Sequence, residues 1–115
     1  LYLIQFTTKE IKTNICTHLI YSFAILNKNK INFSDENSDI NNNLYKKFND
    51  LRDKNPHLTT MISIGGWSDG STKYSLMAMN DSSRKEFVES VIDFLETHNF
   101  DGLDFNWYKI NFNNI

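Results

Sequence analysis

The sequence predicts an α/β fold built on a parallel sheet, because strand-like and helix-like segments alternate along it. Three observations carry this prediction. Leu19-Ile20-Tyr21-Ser22-Phe23-Ala24-Ile25-Leu26 is a near-continuous apolar run of strand formers, too short for a membrane span and patterned like a strand covered on both faces. Phe87, Val88, Val91, Ile92 and Leu95 recur at helical spacing. From Leu103 to Tyr108, apolar Leu103, Phe105 and Trp107 alternate with Asp104, Asn106 and Tyr108, the period of a strand whose two faces meet different surroundings. The polar face has the form of a surface for chemistry, yet Asp104 is the only carboxyl group it offers.

The elements follow in order. After the first strand, the polar stretch Asn27 to Asn43 reads as a long surface loop, with a short strand around Ile31. Leu44, Phe48 and Leu51 then give a helix over about 43 to 54, closed ahead of Pro56 because the residue before a proline avoids the helical region. Leu58 to Ile64 is a second buried strand, ended by Gly65-Gly66 and followed by a variable loop. The helix through Phe87 and Leu95 starts with Ser83 and Glu86 at capping-box spacing, and Asn99 supplies a left-handed exit. Leu103 to Trp107 is the third strand. Residues 109 to 115 are too few for its covering helix, so both sheet edges are expected to be open and the chain to be part of a larger fold.

Length and composition narrow the function. At 115 residues, 40% hydrophobic and 14% aromatic, the chain is expected to form one globular unit with a core. A net charge of -2, with Lys and Arg scattered, argues against nucleic-acid or anionic-membrane binding. No apolar run reaches membrane length, and Leu1 to Phe6 lacks the form of a signal peptide. His18, His57 and His98 stand alone, so no metal site and no cofactor is expected. The single cysteine, Cys16, is either a buried free thiol or half of a disulfide whose partner lies outside this sequence. Asn32-Phe33-Ser34 and Asn80-Asp81-Ser82 are glycan acceptor sequences in a secreted protein, although an asparagine-rich chain produces such triplets by chance.

Three blocks share a further property. Cys16-Thr17-His18-Leu19-Ile20-Tyr21-Ser22-Phe23-Ala24, Ser63-Ile64-Gly65-Gly66-Trp67 and Phe100-Asp101-Gly102-Leu103-Asp104-Phe105-Asn106-Trp107 resemble, in order and spacing, the second, third and fourth strands of the chitinases and chitinase-like lectins of glycoside hydrolase family 18. The resemblance spans roughly Phe6 to Trp107. It implies a partial (β/α)8 barrel covering about strands 2 to 4, with 1 to 115 as the amino-terminal part of a barrel that typically needs about 250 residues. It also implies a secreted protein and a disulfide from Cys16 to the family's first strand, which would precede Leu1.

Active members of the family read Asp-Gly-x-Asp-x-Asp-x-Glu on the fourth strand. Here the motif positions are held by Asp101, Asp104, Asn106 and Tyr108. In the family mechanism the glutamic acid protonates the glycosidic oxygen while the substrate's own acetamide attacks the anomeric carbon, so the acid is indispensable. A phenol is a poor proton donor where a carboxylic acid would serve. Asn106 retains hydrogen-bonding capacity but not the negative charge that stabilises the developing oxazolinium ion. Loss of positioned acid catalysis typically costs about 10² to 10⁴ in rate, so no useful hydrolysis is expected.

The resemblance leaves binding chemistry in place. Alternation puts Ser63, Gly65 and Trp67 on one face of the second predicted strand, with Trp67 at its carboxyl end offering a flat face to a sugar ring. Gly65 and Gly66 let backbone approach the site. Tyr21 and Phe23 share a face of the first predicted strand and line the cleft, although for Phe23 core packing is an equal reading. Ser63 and Asp104 are implied to be a structural hydrogen-bonded pair, Asp101 to serve the turn into the strand, and Phe105 and Trp107 to pack against helices. The leading expectation is a catalytically silent protein binding chitin or N-acetylglucosamine oligomers. The alternatives are a working chitinase whose acid is restored in the native full-length sequence, and a degenerate fragment without binding function that needs the remaining barrel sequence for stable folding.

Overall fold

The computed structural model describes residues 7–108. The apolar run of the first strand forms β1, His18–Asn27, which turns back at Lys28 and Asn29 into β2, Lys30–Asn32. Both turn residues have positive φ, 47° and 63°, the geometry whose twist suits a two-residue hairpin. β2 pairs antiparallel with the end of β1, Ile25 opposite Asn32 and Asn27 opposite Lys30. β3, Thr59–Gly65, and β4, Gly102–Asn106, then add parallel strands in the order β2-β1-β3-β4. The parallel sheet is as the sequence predicts, while β2 adds an antiparallel edge.

Two short helices and one long one cover one face of the sheet. α1, Leu44–Asn49, continues as a tighter 3-10 turn to Asp53, close to the predicted 43 to 54. α2, Thr72–Ala78, lies in the stretch the sequence reads as a variable loop; Tyr74 and Met77 are its buried residues. Seven residues with two apolar anchors are too short a window for a periodicity to register. α3, Asp81–His98, buries Phe87, Val91 and Phe94 on the sheet side. No described helix is long and apolar enough to cross a membrane.

The cap of α3 differs from the expected one. Asn80 is the N-cap, its side chain accepting the Ser83 amide at 3.0 Å. Ser83 instead lies inside the helix and donates its hydroxyl to the Met77 carbonyl at 2.6 Å, which joins α2 to α3. At the other end Asn99 takes the left-handed conformation at φ 59°, as expected. The polar stretch 27 to 43 contains the short strand expected around Ile31, and beyond that expectation it includes a helical turn. Ile31 in β2 is buried, its amide donating to Ser90 Oγ of α3 at 3.1 Å, and the wide helical turn Asn37–Asn41 buries Asp39.

The core combines Ile62 and Ile64 of β3 with an aromatic cluster drawn from β1, α1, α3 and the segment that leads into β4. Tyr21 meets Tyr45 and Phe48 edge-on at 5.0 and 5.3 Å, and Tyr45 meets Phe94 and Phe100 at 5.9 and 5.2 Å, separations at which edge-to-face pairs are favourable. The expectation of a first strand covered on both faces holds only toward its carboxyl end. Ala24 and Leu26 are buried, but Ile20 is 47% exposed, because the helices cover the other face and nothing among the described residues covers this one.

Candidate functional site

The carboxyl ends of the three parallel strands converge on a cavity of about 580 Å³ lined by Phe23 and Ile25 of β1, Gly65 of β3, Asn106 of β4, and Ser34, Gly66, Trp67, Ser68, Asp69 and Tyr108 from the connecting segments. In open and closed parallel sheets alike, this is the end at which sites are built. A smaller concavity of about 350 Å³ lies between α1 and the end of α3, lined by residues such as Asp39, Tyr45 and His98. It belongs to the amino-acid packing on the helix side, away from the strand ends.

The two glycines make the convergence possible. Gly65 has φ +107°, and a Cβ there would lie 2.3 Å from the Asn106 carbonyl oxygen. That same oxygen accepts the Gly66 amide at 2.9 Å, which binds the end of β3 to the end of β4. Gly66 has φ +80°, and a Cβ there would press on the Phe23 ring at 3.1 Å. Only glycine combines these left-handed conformations with such close approach.

Phe23 reaches the cavity through an irregularity in β1. Ser22 pairs with Ser63 and Ala24 with Ile64, so Phe23 is an extra residue between consecutive partners, a bulge that re-aims a side chain. The Ser22–Phe23 peptide bond is cis. The bulge corrects the expectation that Tyr21 and Phe23 share a face. Tyr21 turns to the helix side, where its hydroxyl donates to Asp39 at 2.7 Å, and it does not line the cavity. Burial first, and then the neighbouring Asp39, push the Tyr21 phenol well above its ordinary pKa.

Trp67 is also displaced from its predicted place. β3 stops at Gly65, and Trp67 opens the 3-10 turn Trp67–Asp69 instead of extending the strand face of Ser63 and Gly65. Its ring is 71% exposed at the cavity and stands edge-on to Tyr108, centroids 5.7 Å apart and planes at 69°. Asn106 and Tyr108 both line the cavity, whereas Trp107 points away, stacking on Tyr74 and donating Nε1 to Ser71 Oγ at 3.0 Å. Phe105 likewise packs on Tyr74 and Phe87 on the helix side.

Of the motif carboxylates, neither lines the cavity. Asp104 accepts the hydroxyl of fully buried Ser63 at 2.6 Å, the pair that the resemblance implied. Asp101 precedes the amino end of β4, opposite the cavity, and accepts the Thr60 amide at 2.7 Å and Arg52 Nη1 at 2.6 Å. It fixes the entry to the strand and is remote from any chemistry at the strand ends. Cys16 is half-buried and packed against the core, and no disulfide partner for it lies among the described residues. Among the described residues no group of His, Cys, Asp or Glu is arranged to hold a metal ion.

Asp69 is the residue that sequence reasoning missed. Its carboxylate is almost buried and lines the cavity wall. It accepts the Leu26 amide at 3.0 Å and the Tyr74 hydroxyl at 2.5 Å, and forms an ion pair with Lys73. Burial alone would raise its pKa, but the hydrogen bonds from Lys73, Tyr74 and Leu26 together outweigh this and lower it. Asp69 is therefore an ionised clamp on the Trp67 turn and not a proton donor. Its sequence signal was only the four-residue spacing to Lys73, which surface helices show everywhere.

Residues 1–113 match the family model of Glycosyl hydrolases family 18. Human chitinase-3-like protein 2 is 44% identical over 103 residues, covering 90% of this chain and 26% of that protein. The structure of the Ostrinia furnacalis Group IV chitinase superposes with a TM-score of 0.90 at 35% identity, covering 96% of this chain and 30% of that one. Human YKL-39, described as a pseudo-chitinase with retained chitooligosaccharide binding properties, superposes with a TM-score of 0.76 at 44% identity, covering 89% of this chain and 27% of that one. The chain thus spans less than a third of the length of these relatives.

Proposed function

Since the chain belongs to glycosyl hydrolase family 18, we propose that it is part of a chitinase-like protein that binds N-acetylglucosamine oligomers and does not hydrolyse them. The observation that carries this reading is the chemistry of the cavity wall. The two motif positions that face the cavity are Asn106 and Tyr108, an amide and a phenol. The carboxylate that does line it, Asp69, is held ionised by three donors. Hydrolysis assisted by the substrate's acetamide still requires a general acid at the leaving oxygen, and the lining offers none among the described residues.

Recognition needs less. The exposed Trp67 ring supplies an apolar platform, and Asn106, Ser34 and Ser68 supply neutral hydrogen-bonding groups around it, the composition of a site for an uncharged polar ligand. The relative described as a pseudo-chitinase that keeps chitooligosaccharide binding supports separating the two activities. A secreted location is part of the same proposal.

The test is long incubation of the protein carrying this chain with chitohexaose, followed by chromatography of the sugars. The reading expects the hexamer to be retained by the protein on a sizing column and recovered intact. Accumulation of dimer or trimer that stops on replacing Tyr108 overturns the non-hydrolytic part.

A further inference from the structure

We propose that Tyr108 is itself a ligand-contacting residue. With Trp67 it forms a two-walled aromatic corner that receives one pyranose ring of a neutral amino-sugar oligomer, so the motif position that would hold a proton donor has become part of the recognition surface. This rests on the binding function proposed above and assigns a role to a residue which that function leaves idle.

The geometry points this way through four observations. Trp67 and Tyr108 are 71% and 54% exposed although their rings are only 5.7 Å apart. Two large rings that the described residues leave uncovered at the mouth of one cavity, beside a third, Phe23, at 39%, are an apolar surface suited to a ligand. The rings are inclined at 69° and not stacked on each other, so their contact does not consume both faces. Third, packing does not account for the placement of Tyr108. The helix-side aromatic contacts of this segment are made by Phe105 and Trp107, while Asn106 and Tyr108 alternate to the cavity side.

The fourth observation sets the ligand class. Among the described residues no Lys or Arg lines the cavity, and its carboxylate, Asp69, already has three partners. Among these described residues an anionic sugar would find no countercharge, and a cation would find no free carboxylate. A pyranose ring presents C–H bonds on a face and hydroxyl or acetamido groups at its rim, which matches aromatic walls with Asn106, Ser34 and Ser68 beside them. Replacing Tyr108 by the family's glutamate would remove one wall and introduce an unpaired charge.

The test is calorimetric titration of the protein carrying this chain with chitotetraose, comparing wild type with Y108A, Y108L, Y108F, Y108E and W67A, each checked for an unchanged cooperative melt. Y108A, Y108L and Y108E are expected to weaken binding by about tenfold, the size of one aromatic contact, and Y108F by less than about threefold because the ring is kept. The W67A and Y108A effects are expected to combine less than additively, since one sugar ring touches both walls. Wild-type binding that is unchanged in both Y108A and Y108L overturns the role of Tyr108 and leaves the binding function standing. Absence of wild-type binding overturns both.

Discussion

Ser63, fully buried on β3, donates its hydroxyl to Asp104 on β4 at 2.6 Å, and the two residues are directly paired in the parallel register. The bond fastens the two strands whose ends carry Gly65 and Asn106, and it occupies the one motif acid on the polar face of β4. Ser63→Ala removes the donor and leaves the Asp104 carboxylate without that partner. A destabilisation of about 1–3 kcal/mol is expected in denaturant unfolding, and a loss below about 0.5 kcal/mol would mean that Asp104 is satisfied by other groups.

Gly65 is the tighter constraint on the same pair of strands. A Cβ at 2.3 Å from the Asn106 carbonyl, on a residue at φ +107°, demands both a strained backbone and separation of β3 from β4. Gly65→Ala is expected to cost at least about 2 kcal/mol and to weaken oligosaccharide binding more than its stability loss explains, because the displaced Asn106 lies in the cavity. Unfolding and calorimetry on the same preparation check the two effects separately.

Asp69 predicts an acid-sensitive cavity. Its folded pKa is depressed, so its contribution to stability is present above the ordinary carboxylate range and is lost as pH falls through the depressed value. Asp69→Asn keeps the shape but gives up the ion pair with Lys73. It is expected to lower the melting temperature at neutral pH and to shrink the difference between neutral and strongly acidic pH. A variant with the wild-type acid profile would show that the carboxylate does not hold the turn.

His98 adds a second acid-side effect at milder pH. Its ring packs on Phe94 at 4.5 Å and Tyr45 at 5.2 Å, and burial lowers its pKa from 6.5, with the Asp39 charge opposing. The unfolded chain therefore takes up a proton first as pH falls, and stability drops from about pH 6.5 down through the lowered folded value. His98→Phe keeps a ring in place without a titrating group. The slope of unfolding free energy against pH in that window is expected to flatten in the variant.

Much of the sheet was legible in the sequence because apolar runs and period-two alternation report burial directly. The β1 run, the Leu58 to Ile64 segment and the Leu103 to Trp107 alternation each correspond to a strand of the expected parallel sheet, the last ending one residue early at Asn106. What was not legible depends on single residues whose partners are distant in sequence. The bulge at Phe23, which separates it from Tyr21, is set by the register against Ser63 and Ile64. Asp69 looks like a loop charge until Leu26 and Tyr74 are folded against it. Asn80 caps α3 in place of the predicted Ser83, because Ser83 is drawn to the Met77 carbonyl of α2. Gly-Gly-Trp predicts Trp67 at a strand end, and it does line the cavity there, but the two left-handed glycines carry it off the strand.

On the function proposed above, a cavity walled by Trp67, Asn106 and Tyr108 holds N-acetylglucosamine oligomers without cleaving them. Titration of chitotetraose into the protein in a calorimeter, with mass spectrometry of the cell contents after a day at the same temperature, measures both halves on one sample. Saturable heat and unchanged tetramer are expected. Shorter sugars appearing with wild-type protein and absent with Y108A, or no heat at all, would contradict it.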